Sequence, residues 1–178
     1  MRNYEERAKD FIKAIYPLIF DFHDLEDVME SVEEFNYDHN RNVKVSHGCA
    51  RVAFITSDYV VKYTYDPEEE EILGGGEEEV ELYAKAERDG YAHLFAKVTR
   101  FDYNDIHFYI MPRIRGISES RNWKWRAYHF MTEDEKKWCA KHKLTDLHCN
   151  NYGFRNGRVC IIDYACRGYC SLSTESWS

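Results

Sequence analysis

The sequence predicts an α+β domain: helices, then an antiparallel sheet, then a short helical and hairpin region that carries most of the polar chemistry. Three observations predict it. Apolar residues recur at helical spacing between Tyr4 and Phe35, the period changes to two from Val43, and Asn156-Gly157 marks a tight hairpin near the C-terminus. With 178 residues, 44% hydrophobic and 16% aromatic, the chain has material for a single domain with its own core. It divides into a helical extension over 1–42, a sheet-rich unit over 43–115 and a C-terminal unit over 116–178.

Tyr4, Ala8, Phe11, Ile12, Ile15 and Ile19 share one face of a first helix, which Pro17 is expected to bend or shorten. A more acidic second helix is expected from Asp24 to about Phe35, with Leu25, Val28, Met29 and Val32 on one face. Three β-rich segments follow, Val43 to Ser46, Arg51 to Thr56 and Tyr59 to Tyr65, separated by His47-Gly48 and Ser57-Asp58, and are expected to form a meander. Gly74-Gly75-Gly76 reads as a hinge or linker, because no strand directly precedes it and no GK[ST] follows to make a phosphate loop. Glu77 to Arg88 then carries Val80, Tyr83 and Ala84 at helical spacing.

A strand is expected from Leu94 to Phe101, and His107 to Met111 closes a hairpin begun at Phe95 across Asp102 to Asp105. Trp123, Trp125, Tyr128 and Phe130 form an aromatic-rich helical segment assigned to the core. Thr132 and Glu135 make a capping box for a helix to about Lys143. Asn156-Gly157 fits a type I′ turn, whose two central residues both need positive φ. Pairing outward from it sets Arg155 opposite Arg158 and Tyr152 opposite Ile161, with Asn151 and Asp163 at the open end and facing Cβ atoms about 5 Å apart. The serine-rich tail, Gly168 to Ser178, is expected to be mobile.

The formal net charge of −8 and the scattering of Lys and Arg argue against nucleic acid as a partner. No run of 18 apolar residues and no signal-peptide hydrophobic region in MRNYEERAKDF point to the membrane or to secretion, so a cytoplasmic protein is expected. Six cysteines are then expected to stay reduced. His142, His148, Cys149, Cys160, Cys166 and Cys170 crowd the last third, but without a CxxC pair the zinc reading ranks below structural thiols.

The hairpin region places two carboxylates and an amide close in sequence: Asp146, Asn151 and Asp163. A carboxylate and an amide carbonyl are hard oxygen donors of the kind that share a Mg²⁺ ion. The local form, DLHCNNYGFRNGRVCIIDYA, resembles the catalytic loop and metal-binding segment of protein kinases and related small-molecule kinases. It is similar above all to small kinase-like proteins of bacteria and their phages and to aminoglycoside-kinase-like enzymes. The resemblance implies a kinase-like fold: an antiparallel N-lobe sheet with one helix and a truncated helical C-lobe, preceded by the helical extension.

In that resemblance Asp146 receives the substrate hydroxyl proton, and Asn151 and Asp163 hold the metal. SHGCARVAF is similar to the phosphate-covering loop, with Gly48 as its one remaining glycine, and YVVKYTY to the strand that presents the phosphate-anchoring Lys62. Glu79 is selected as the partner of Lys62, with Glu78 and Glu81 as alternatives. MPRIRG falls where the linker between lobes reads adenine, so that Met111 borders the base, Pro112 offers its carbonyl and Ile114 its N–H. The chain departs from the family at Asp163-Tyr164-Ala165, where Ala stands for Gly, and at Leu144-Thr145, which replaces a His-Arg pair. Only a short tail follows, too short for a peptide-binding subdomain.

The function implied is an ATP- and Mg²⁺-dependent phosphotransferase acting on a protein or small-molecule hydroxyl. The alternative is a pseudokinase-like binding protein that regulates a partner protein without catalysis. A homodimer stays open, and the location implied is the cytoplasm, that of the host if the protein is phage-encoded.

Overall fold

The computed structural model describes residues 3–19, 25–39, 42–47, 51–64, 75–116, 127–144, 147 and 151–164. Among these, α1 (Tyr4–Ile19) and α2 (Leu25–His39) precede the strands β1 (Lys44–His47), β2 (Arg51–Ile55) and β3 (Tyr59–Thr64). Helix α3 (Gly76–Asp89) is followed by a 3-10 turn (Ala92–Leu94) and the strands β4 (Thr99–Tyr103), β5 (Ile106–Pro112) and β6 (Arg115–Gly116). A second 3-10 turn (Ala127–Phe130), helix α4 (Glu133–Lys141) and the hairpin β7 (Tyr152–Arg155) and β8 (Arg158–Ile161) complete the α+β architecture. No described helix is long and apolar enough to cross a membrane.

The larger sheet has the order β1-β2-β3-β5-β4, antiparallel throughout, and the smaller has the order β6-β7-β8. Strand alternation gives the larger sheet two faces with different jobs. Val52, Phe54, Val61, Tyr63, Phe108 and Ile110 point to one side and share a core with α1 and α2. Phe11 of α1 sits at its centre, edge-on to both Phe35 and Phe54 with ring centroids 5.7 Å apart. The N-terminal helices therefore cover an apolar sheet face that would otherwise be wet. Helix α2 runs past Phe35 to His39, and Asn36 clamps the following chain by donating to the Val43 carbonyl (2.8 Å) and accepting from the Val43 N–H (2.9 Å).

The opposite face presents Val60, Lys62, Tyr109 and Met111, and packs with α3, α4 and the smaller sheet. Expected strand Leu94 to Phe101 forms only from Thr99. Phe95 bridges to Ile161 instead, and the Ala96 N–H donates to the Ile161 carbonyl at 2.8 Å, which stitches the two sheets together. The fully buried Phe95 and Ala96 supply the apolar reason for that docking. The β4-β5 hairpin turns on Asn104 and Asp105, both with positive φ (47° and 64°), and the β7-β8 hairpin on Asn156 and Gly157 (54° and 76°), as a type I′ turn requires.

Helix α3 starts where the glycines were read as a hinge. Gly75 is its N-cap and Gly76 its first residue, against the ring of Tyr109, where a Cβ would overlap the aromatic carbons. Gly76→Ala is therefore expected to destabilise the fold by about 1–3 kcal/mol, the usual cost of overpacking, read as a lowered urea midpoint with an unchanged slope. The far end of α3 is held by the α4 segment. Trp138 Nε1 donates to Asp89 (2.8 Å), His93 Nε2 meets Glu135 (2.7 Å), and the Thr132–Glu135 capping box forms as the sequence indicates.

Candidate functional site

The site grows out of the alternation in β3. With Tyr59, Val61 and Tyr63 committed to the α1/α2 core, Lys62 must point to the opposite face, beside its cross-strand neighbours Ala53 and Tyr109. There it is 8% exposed and needs partners for its ammonium group. Its Nζ donates to Glu79 Oε1 (2.9 Å), to the Ile162 carbonyl (3.2 Å) and to Asp163 Oδ1 (3.5 Å). A strand, a helix and the exit of a hairpin thus converge on one ammonium.

Of the three candidate glutamates, Glu79 is the one that reaches Lys62. Glu78 turns back to the helix start, where its Oε2 accepts from the Gly75 N–H at 2.7 Å, and Glu81 faces solvent beside Lys85. Glu79 is fully buried on the stripe of α3 that also buries Ala86. Its Oε2 has no hydrogen-bond partner among the described residues. Burial pushes its carboxyl above the ordinary carboxylate value, against the opposing pull of Lys62 and Arg51.

Asp163 lies two residues past the end of β8 and keeps 39% of its side chain exposed. Burial pushes its carboxyl up, but Lys62 and Arg51 outweigh that and hold it well below the usual carboxylate range. A carboxyl depressed in the folded state stabilises the fold above its unfolded value of about 3.9 and loses that contribution as pH falls towards the folded value. The stability gap between wild type and Asp163→Asn is therefore expected to be constant from neutral pH to about pH 5 and to shrink below about pH 4. Urea midpoints followed from pH 7 to pH 2 check this. A gap that widens in acid contradicts the assigned direction.

Arg51 is the residue that sequence reasoning missed. The sequence places it at the start of the β-rich segment Arg51 to Thr56 without assigning its side chain a role; it is the first residue of β2, and Val52 and Phe54 point into the α1/α2 core, so Arg51 shares the face of Lys62. Its guanidinium spans the two carboxylates, with one nitrogen 3.3 Å from Glu79 Oε1 and the other 3.0 Å from Asp163 Oδ1. The signal was present in the alternation of RVAFI. Burial works against its charge, and Glu79 and Asp163 outweigh that and keep it protonated.

Asn151 is buried at the head of β7, and its carbonyl accepts from the Ile162 N–H at 2.8 Å. That pairing corrects an expectation. The register Tyr152↔Ile161 continues to Asn151 opposite Ile162, so Asn151 and Asp163 are offset by one residue and are not a facing pair. Met111 is buried on the Lys62 face, opposite Val60. Pro112 ends β5 opposite Tyr59, and Ile114 lies where the chain crosses from the larger sheet to β6, packed against the core. The Arg113 N–H between them is taken by the Asp58 carbonyl at 2.9 Å. Gly48 and Asp146 lie outside the described residues, as do Trp123, Trp125, His148, Cys149, Cys166, Cys170 and the tail from Gly168.

Cys139 and Cys160 are buried free thiols, pushed by burial up to about 12 and about 11, which disfavours the thiolate that zinc or nucleophilic chemistry would need. The oxygen chemistry is different. Asp163 is an ionised, partly exposed carboxylate close to the head of β7, a donor type that suits a hard cation such as Mg²⁺. Searches against protein-family models, curated proteins and solved structures find no match for this chain.

Proposed function

We propose that the chain is a minimal phosphotransferase of the protein-kinase type, which binds ATP with Mg²⁺ and passes the γ-phosphate to a hydroxyl of a protein or a small molecule. The observation that carries this reading is the buried Lys62–Glu79 pair set beside Asp163. In protein kinases a strand lysine paired to a helix glutamate, together with a metal-binding aspartate, makes up the phosphate-binding apparatus. Here the lysine is on the third strand of the sheet, the glutamate on the helix that follows, and the aspartate just past a hairpin that succeeds the catalytic-loop-like sequence.

In this reading Lys62 orients the phosphates, and Glu79 keeps its ammonium in one place, so little side-chain freedom is lost when a nucleotide arrives. Asp163 and Asn151 would hold the metal, which would supply neutralisation of phosphate charge. Asp146 would receive the proton of the acceptor hydroxyl. Met111 would border the base, with the Pro112 carbonyl and the Ile114 N–H towards its polar edge, and Gly48 would belong to the turn over the phosphates.

A second reading, a kinase-like binding protein without catalysis, is favoured by one feature: the Arg51 guanidinium already sits on Asp163. Incubation with MgATP labelled at the γ-phosphate, followed by assay of label on the protein itself, on added proteins and on hydroxylated small molecules, separates the two. Transfer that depends on Asp163 supports the enzyme. Binding of MgATP with no transfer to any acceptor supports the regulator, and no binding overturns the enzyme.

A further inference from the structure

Four charges meet on the inner face of the larger sheet: two cations, Lys62 and Arg51, and two carboxylates, Glu79 and Asp163. Their formal sum is zero. Glu79 is fully buried and in contact with both cations, whereas Asp163 is the one member with substantial exposure, 39% of its side chain. Any ligand from solvent therefore meets the cluster at Asp163. The oxygen it meets, Oδ1, already accepts from Arg51 at 3.0 Å and from Lys62 at 3.5 Å.

We infer that Arg51 is a tethered cation that occupies the place of a divalent metal at Asp163, so that the metal site opens only when the guanidinium is displaced. The inference deepens the reading of Asp163 as a metal-binding carboxylate and rests on it for the identity of the ligand. A Mg²⁺ ion binds carboxylate oxygen at about 2.0–2.1 Å. With Arg51 on the same oxygen, the two cations would lie within roughly 5 Å of each other, where like charges in a half-buried site repel strongly.

Protonation chemistry offers no way out, because a guanidinium does not lose its proton in proteins. Arg51 must move. Its side chain is 16% exposed and bonded at both ends of its fork, so it is a held plug and not a mobile surface arginine. It also retains Glu79 when Asp163 is released, since one guanidinium nitrogen serves each carboxylate. Displacement thus has a defined parking place, which a lysine at the same position, with a single point of attachment, would lack.

The test uses Mn²⁺ as the probe, titrated without nucleotide and read by electron paramagnetic resonance, on wild type, Arg51→Met and Arg51→Met/Asp163→Asn. Arg51→Met is expected to bind Mn²⁺ at least about tenfold more tightly than wild type, and Asp163→Asn is expected to remove that gain. No gain in Arg51→Met, or a gain that survives Asp163→Asn, overturns the inference. Should Arg51→Met fail to fold, Arg51→Gln carries the same expectations. A parallel titration with ATP keeps the two ideas apart. If the Mn²⁺ gain appears but no variant binds ATP, the plug stands and the phosphotransferase reading falls. If wild type binds MgATP and the Mn²⁺ affinities are equal, the plug falls and the reading stands.

Discussion

Lys62→Met is expected to lower stability by about 3 kcal/mol, near the lower end of what breaking a buried ion pair costs, because Glu79 stays fully buried with only Arg51 to answer its charge. For a chain of this size that corresponds to a fall in Tm of roughly 6–12 °C. The double variant Lys62→Met/Glu79→Leu is expected to recover most of the loss, since replacing both members of a buried pair with apolar groups removes the desolvation cost together with the attraction. Urea unfolding of the wild type, both single variants and the double variant closes the cycle. Additive losses with no recovery would mean that the pair is not coupled as the 2.9 Å contact indicates. Nucleotide affinity is expected to separate from stability here, because the double variant is expected to fold and still lacks the proposed phosphate anchor.

Asp146→Asn is expected to slow phosphate transfer by about 10²- to 10⁴-fold, the usual contribution of a positioned base. The amide keeps the shape of the carboxylate but cannot take up the acceptor's proton. The next residue, Leu147, is buried, and its carbonyl accepts from the Ala127 N–H at 3.0 Å, so the backbone beside position 146 is anchored to the body of the domain. MgATP affinity is expected to stay at the wild-type value, since the proposed phosphate and metal contacts come from Lys62, Asp163 and Asn151. A single-turnover transfer assay beside a binding titration checks both halves. Unchanged transfer would remove Asp146 from the role of base.

The parts of the fold that were legible in the sequence are those in which one local signal decides the outcome. Asn156-Gly157 set the turn and with it the register Tyr152↔Ile161, and the alternation of YVVKYT placed Lys62 opposite the apolar side chains of its strand. A run of glutamates such as Glu77 to Glu79 carries no mark of which one is capping, buried or wet. Tertiary contacts decide that, through the Gly75 N–H and the Lys62 ammonium. Tertiary contacts likewise start β4 at Thr99 and not at Leu94. Phe95 to Val98 look strand-like, but their best apolar partner is β8 of the other sheet. Arg51 opens a segment that the sequence marks as β-rich, and its period-two pattern separates Val52 and Phe54 from Arg51, but nothing local shows that its guanidinium meets two carboxylates brought in from α3 and from the chain after β8.

Packing of α1 and α2 on the outer face of the larger sheet also has a consequence for the site. Those helices share the core that fixes Val61 and Tyr63 on either side of Lys62, so they set its direction without touching it. The chemistry on the inner face depends on apolar side chains of the outer one.

The most direct test of the central claim is calorimetric titration of MgATP into wild type and into the folded Lys62→Met/Glu79→Leu variant. Saturable binding by the wild type that disappears in the double variant is the result predicted. A wild type that takes up no MgATP, or a double variant that binds it equally well, would contradict the assignment of this buried pair to a nucleotide's phosphates.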